Sequence, residues 1–79
     1  KTFYGAKVVD NATGLPEIAG LTANAKAATK GLKVGDQIVK VNNTRITSSQ
    51  HLLATVLSLN GKSAVYAIRR NTATFNLIF

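Results

Sequence analysis

The 79-residue chain has no cysteine, methionine or tryptophan, one proline, one histidine and three carboxylate side chains. Without cysteine there is no disulfide framework and no thiolate nucleophile. A single histidine then excludes an all-histidine or cysteine–histidine metal site. Lys, Arg, Asn or Thr interrupts every hydrophobic run, so nothing reaches the roughly 18 to 20 apolar residues that a membrane-spanning helix requires. The chain starts at Lys1 with no signal-peptide hydrophobic segment, and is expected to be excised from a longer protein whose targeting segments lie elsewhere. The absence of cysteine suits an envelope location and a cytosolic one equally.

Scarcity of acid removes most enzyme chemistry. Asp10, Glu17 and Asp36 are the only side-chain carboxylates. Two of them sit beside turn residues, where Asp commonly accepts local hydrogen bonds, so a paired-carboxylate acid/base site is not supported. His51 has serines nearby, but Ser48 is merely its i, i+3 neighbour on a helix, and no Asp or Glu is near in sequence to orient the ring. An exposed helix histidine is the simpler reading. Neither G-x-G-x-x-G nor G-x-x-x-x-G-K-[ST] occurs, and Gly31-Leu32-Lys33-Val34-Gly35 has the wrong spacing for a phosphate loop. No cofactor is expected.

Ten basic residues against those three acids give +7, which points to an anionic partner. The cations are scattered over most of the chain and the five aromatics do not interleave with them, so a base-stacking platform for nucleic acid is not indicated. Asn11-Ala12-Thr13 and Asn42-Asn43-Thr44 match the glycosylation triplet, a frequent chance match.

What is present is enough apolar residue, 46%, to fold one small domain. A folded chain of this mass should expose roughly 4,600 Å², against about 12,000 Å² unfolded. Residues 3–10 read as a strand entering a turn at Asn11 to Gly14, and residues 15–21 as its return, with Pro16 at the start where a missing donor costs least. Ala25 to Lys30 reads as a short helix, capped by Asn24 and ended by Gly31. Gly35-Asp36 makes a turn before the strand Gln37 to Val41, followed by Asn42-Asn43 and a short strand at Thr44 to Ile46. Thr47-Ser48-Ser49 caps the longer helix. In it Leu52, Val56 and Leu59 form one apolar stripe, with Leu53 and Leu57 a neighbouring one. Asn60-Gly61 ends it, and residues 64–68 and 73–79 form a closing hairpin. The order of elements is that of an α+β domain.

The stretch from Ala25 to Asn43 resembles the bacterial PDZ domain: a small-residue helix, Gly31-Leu32, Gly35-Asp36-Gln37-Ile38 and Val41-Asn42, with Asn43 in place of the usual glycine. Ile46-Thr47-Ser48-Ser49, the helix bearing Leu52 and Val56, and a hairpin carrying Arg69 also match. The resemblance covers nearly the whole chain, 1–79, as a single domain. It implies a small, partly open β-barrel or sandwich of five to six strands with two helices, in the circularly permuted form found in HtrA-type and other PDZ-bearing proteases. It further implies that Phe3-Tyr4-Gly5-Ala6 is the carboxylate loop of x-Φ-G-Φ type, in which the amides of Tyr4, Gly5 and Ala6 hold a peptide C-terminus. Ala6 is smaller than the residue usual there. The ligand would add as a strand beside Lys7, Val8, Val9 and Asp10, with Ser49, Leu53 and Leu57 lining the groove on the helix side. His51 lies two residues from the position where one PDZ class has a ligand-selecting histidine. The expected partners are C-terminal or extended segments of proteins, and neither metal nor nucleic acid. The resemblance implies a non-catalytic fragment within a protease of the cell envelope, a type of parent that can be membrane-anchored. Alternatives are a docking module of a secretion assembly or a small basic nucleic-acid-binding domain.

Overall fold

The computed structural model describes residues 2–79. Its elements in chain order are β1 (Thr2–Phe3), β2 (Ala6–Asp10), β3 (Pro16–Leu21), α1 (Lys26–Thr29), β4 (Gln37–Val41), β5 (Thr44–Arg45), α2 (Ser49–Ser58), β6 (Val65–Arg70) and β7 (Ala73–Ile78). All pairings are antiparallel, in the order β1-β2-β3-β4-β6-β7 with β5 on β4. This is the expected α+β architecture with two helices. Two two-residue strands, β1 and β5, raise the strand count to seven.

The first expected strand is broken in two. Tyr4 and Gly5 take φ of 51° and 86°, and Phe3 pairs with Ala6 across them, which is a two-residue hairpin of the kind that needs positive φ at both central positions. The short helix also differs at its start. Ala25 is the cap residue, with no side-chain bond, whereas Asn24 takes φ of 66° and turns the chain ahead of it. Asn tolerates this left-handed backbone, so its role is conformational. At α2 the expected hydroxyl cap is Ser48, whose Oγ accepts from the His51 amide at 3.0 Å. His51 Nδ1 in turn accepts from the Thr47 amide at 3.1 Å. The histidine thus closes a reciprocal box at the helix start.

The core is built from alternation on the strands. Ala6, Val8, Ile18, Ile38, Val41, Tyr66 and Ile68 point inward, and Leu52 is the fully enclosed residue of α2. Burying a side chain such as Leu52 contributes about 1.5–3 kcal/mol. At one end Phe3, Tyr66 and Phe79 meet edge to face at 5.1 to 5.3 Å, and Tyr4 stacks on Phe79 at 4.8 Å. The Tyr66 hydroxyl is enclosed without a hydrogen-bond partner among the described residues. Burial, and then the neighbouring Tyr4, hold its pKa above the usual phenol range.

One ion pair ties the hairpin to the turn before β4. Asp36, 1% exposed, accepts from Arg70 Nε at 2.8 Å and Nη2 at 2.7 Å, and from the Lys33 amide at 2.9 Å. The Arg70 guanidinium also donates to the Gly31 carbonyl and lies over the Phe75 ring. Burial pushes the Asp36 carboxyl up, but hydrogen bonds from Arg70 and Lys33 outweigh it and hold the pKa below 3.8. Arg70, rather than Arg69, is thus the structural arginine of the hairpin. Both glycosylation-like asparagines have local work: Asn11 Oδ1 accepts from Thr13 and Leu15 amides, and Asn42 Oδ1 from the Val65 amide.

Candidate functional site: a groove between β2 and α2

The hydrogen bonds of β2 decide which of its backbone groups stay available. Asn11 donates to Leu15 O, and the Thr22 amide donates to Gly5 O. In an antiparallel ladder the residues alternate, so Lys7 and Val9 turn their N–H and C=O groups toward β3. Ala6, Val8 and Asp10 turn theirs to the opposite edge. At Ala6 that edge is met by Phe3 of β1. Beyond it, from Val8 to Asp10, no strand pairs on that side among the described residues. An edge of this kind is a template for an added strand.

Helix α2 stands along this edge. Val8 from the sheet and Ser49, Gln50, Leu53, Ala54 and Leu57 from the helix line an open groove of about 650 Å³. The helix residues recur at i, i+1, i+4, i+5 and i+8, one face of an α-helix. The structure therefore brings Val8, Ser49, Leu53 and Leu57 together. Lys7 and Val9 are not lining residues, because strand alternation puts their exposed side chains on the other face. Gln50 and Ala54 join the lining. Extending the helical spacing by one residue from Ser49 and Leu53 identifies both.

The far end of the groove is fastened by Asp10, whose Oδ1 accepts from the Ser49 amide at 2.7 Å. That bond from the first residue of α2 lowers the Asp10 pKa. The near end is the Tyr4-Gly5 hairpin. Tyr4 O accepts from the Ala27 amide and Gly5 O from the Thr22 amide, each at 3.0 Å. A trans peptide places its N–H opposite its C=O, so the amides of Gly5 and Ala6 face away from α1 and β3. Close packing here demands glycine, since a Cβ on Gly5 would overlap that of Ala25.

Beside the hairpin a second cavity of about 280 Å³ is lined by Phe3, Tyr4, Val56, Leu57, Leu59 and Lys62, among others. Leu57, 79% exposed, belongs to both cavities. Tyr4 faces this second cavity, its ring stacked on Phe79 and the Lys26 Nζ 5.1 Å from the ring centroid. Ala6 is fully buried. Val56, assigned to the core stripe from its spacing with Leu52, is half-buried and contributes to this wall. Among the described residues no group of three His, Cys, Asp or Glu side chains is placed to hold a metal.

An exposed strand edge beside an amphipathic helix, on a small antiparallel sheet, defines a class of peptide-recognition module. The chain belongs to the PDZ domain family, which it matches over residues 1–66. It is 34% identical, over an alignment of 83 residues, to the serine protease Do-like HtrA of Lactococcus lactis subsp. cremoris (strain MG1363). That alignment takes in 90% of this chain and 20% of the relative, so the chain spans a small part of that protein's length. The fold is shared with the HtrA3 PDZ domain bound to a phage-derived ligand (FGRWV), with a TM-score of 0.80, 21% identity, and coverage of 98% of this chain and 81% of that one. It is shared too with the HtrA-type protease AlgWS227A with decapeptide, with a TM-score of 0.70, 20% identity, and coverage of 96% and 27%. PDZ domains are binding modules, not catalytic ones.

Proposed function

We propose that this domain captures the C-terminal or otherwise extended segment of a protein by strand addition, and serves as the substrate-recognition or regulatory module of an HtrA-type protease of the cell envelope. The observation that carries the reading is the open Val8 to Asp10 edge lying beside the apolar face Leu53 and Leu57. In this mechanism the ligand backbone exchanges hydrogen bonds with Val8, extending the sheet by one strand. An apolar ligand side chain is covered by Leu53 and Leu57. The terminal carboxylate reaches the Tyr4-Gly5 hairpin, toward the Gly5 amide that faces away from α1, and Lys62 of the adjoining cavity lends a nearby cation. The protease context is supported by the HtrA relative and by the HtrA-type structures that share the fold.

Peptide titration tests it. The pentapeptide FGRWV, found on the HtrA3 domain, is a suitable probe in free-acid and C-terminally amidated forms. The free acid is expected to shift the amide resonances of residues 4–9 and 49–57, with the amide form weaker by about tenfold or more, as loss of a charge-assisted contact implies. If neither form moves those resonances, the groove reading fails. Equal binding of both forms would remove the carboxylate from the mechanism and leave internal-strand recognition.

A further inference from the structure

A third cavity, sharing no residue with the groove, lies on the β4, β5 and β6–β7 part of the sheet. About 480 Å³ in volume, it is lined by Lys40, Arg45 and Arg69, by Thr72 and Thr74, and by Leu15, Val39 and Ile46. Its composition follows from the ladder. β4 slips register between Ile38 and Lys40, and this bulge brings Val39 and Lys40 to the same cavity instead of opposite faces. Lys40 pairs with Arg45 across one edge, and Arg69 with Thr74 across another. Three cations from three strands thus converge over an apolar floor.

None of these cations has an acidic partner within 4.0 Å among the described residues, where the one ion pair is Arg70 with Asp36. The chain cannot supply one readily. Asp36 is occupied by Arg70 and Asp10 by the Ser49 amide, and Glu17, with a long 3.5 Å contact from Asn11, comes within 4.0 Å of none of the three cations. A second copy, also at +7 and short of free acid, does not complement the site. The lining holds no aromatic ring on which a base could stack. Clustered like charges around an apolar floor repel one another until an anion with apolar neighbours fills the space.

From this we infer that the Lys40–Arg45–Arg69 cavity is a second docking site, which takes an acidic peptide segment in which Asp or Glu alternates with Leu or Ile. Alternation puts the carboxylates toward the three cations and the apolar side chains toward Leu15, Val39 and Ile46. The site needs no free C-terminus. It is therefore separable from the groove, and a protein segment can hold the domain there while the groove remains open.

The experiment is an amide-resonance titration with an acetylated, C-terminally amidated heptapeptide of alternating Asp and Leu, beside the same peptide with Asn for Asp. The acidic peptide is expected to move residues 39–46 and 69–74 at concentrations up to about 1 mM, and the Asn peptide to move none of them. The K40E/R45E/R69E variant should bind about tenfold or more weakly, and R69Q alone should show a smaller loss. Each variant's dispersed spectrum and melting transition verify that it is folded. Perturbation confined to the groove, equal binding of the Asn peptide, or no perturbation overturns the inference. So does tighter binding at residues 39–46 by a single-stranded oligonucleotide or inorganic phosphate.

Discussion

At the scale of single residues, the site depends on positions whose replacement has more than a local effect. Gly5 combines φ of 86° with packing that leaves no room for a Cβ against Ala25. G5A is expected to lose about 1–3 kcal/mol from the backbone conformation alone, with overlap adding to it, in a urea unfolding curve. Because the loop amides move with it, the FGRWV titration should weaken in parallel. Arg70 is the other such residue. R70A leaves the buried Asp36 carboxylate without its cation and with only the Lys33 amide donating to it, and should lower the urea midpoint. The sign with pH follows from the lowered Asp36 pKa: its stabilisation is full above 3.8 and is lost as pH falls through the lower folded value. The unfolding midpoint of the native chain should drop on acidification in that range, and R70A should drop less. Asp10, also lowered, contributes with the same sign, so R70A reduces the slope without removing it.

At the scale of elements, α2 carries two faces with different duties. Leu52 is enclosed in the core, while Leu57 is 79% exposed and borders both cavities. L57A should change stability by no more than about 0.5 kcal/mol, as for other exposed positions. Peptide affinity should nevertheless fall several-fold in a fluorescence-polarisation titration with labelled FGRWV. A full loss of stability in L57A would mean that the side chain is core. β2 and α2 are joined at one end by the Asp10 bond to the Ser49 amide, which holds the helix start against the strand end. D10A should speed hydrogen exchange at Ser49 and loosen the groove there, while exchange in β6 and β7 stays as it was.

At the scale of the whole molecule, size and charge set the limits. The radius of gyration is 11.1 Å, close to the roughly 11.6 Å expected of a compact chain of this length. The exposed surface of 4827 Å² is near the roughly 4,600 Å² that mass alone implies. A body this small spends nearly all of its buried residues on a single core and presents binding sites at its surface. The +7 charge acts over the entire surface, so an anionic peptide should associate faster at low ionic strength. Stopped-flow association of an N-acetylated, free-acid peptide with acidic residues ahead of a C-terminal Val, such as DGDWV, should slow several-fold between about 0.05 and 0.5 M salt while the dissociation rate changes little.

The element order, the strand at Gln37 to Val41, the helix bearing Leu52 and the closing hairpin were all legible in the residues, because each rests on local periodicity and turn chemistry. The absence of cysteine and the scarcity of carboxylates likewise excluded most catalysis by inventory. Other features depend on contacts between distant segments. The way the Tyr4-Gly5 hairpin is held follows from Gly5 packing on Ala25 and from Tyr4 O accepting from the Ala27 amide. The choice of Arg70 over its neighbour follows from which side of β6 faces Asp36. Register alone turned Val8 into the groove and Lys7 and Val9 away, since a strand's pairing decides the face on which each side chain stands. Composition supplied ten cations, but only the bulge in β4 and the pairing of three strands gathered Lys40, Arg45 and Arg69 into one cavity.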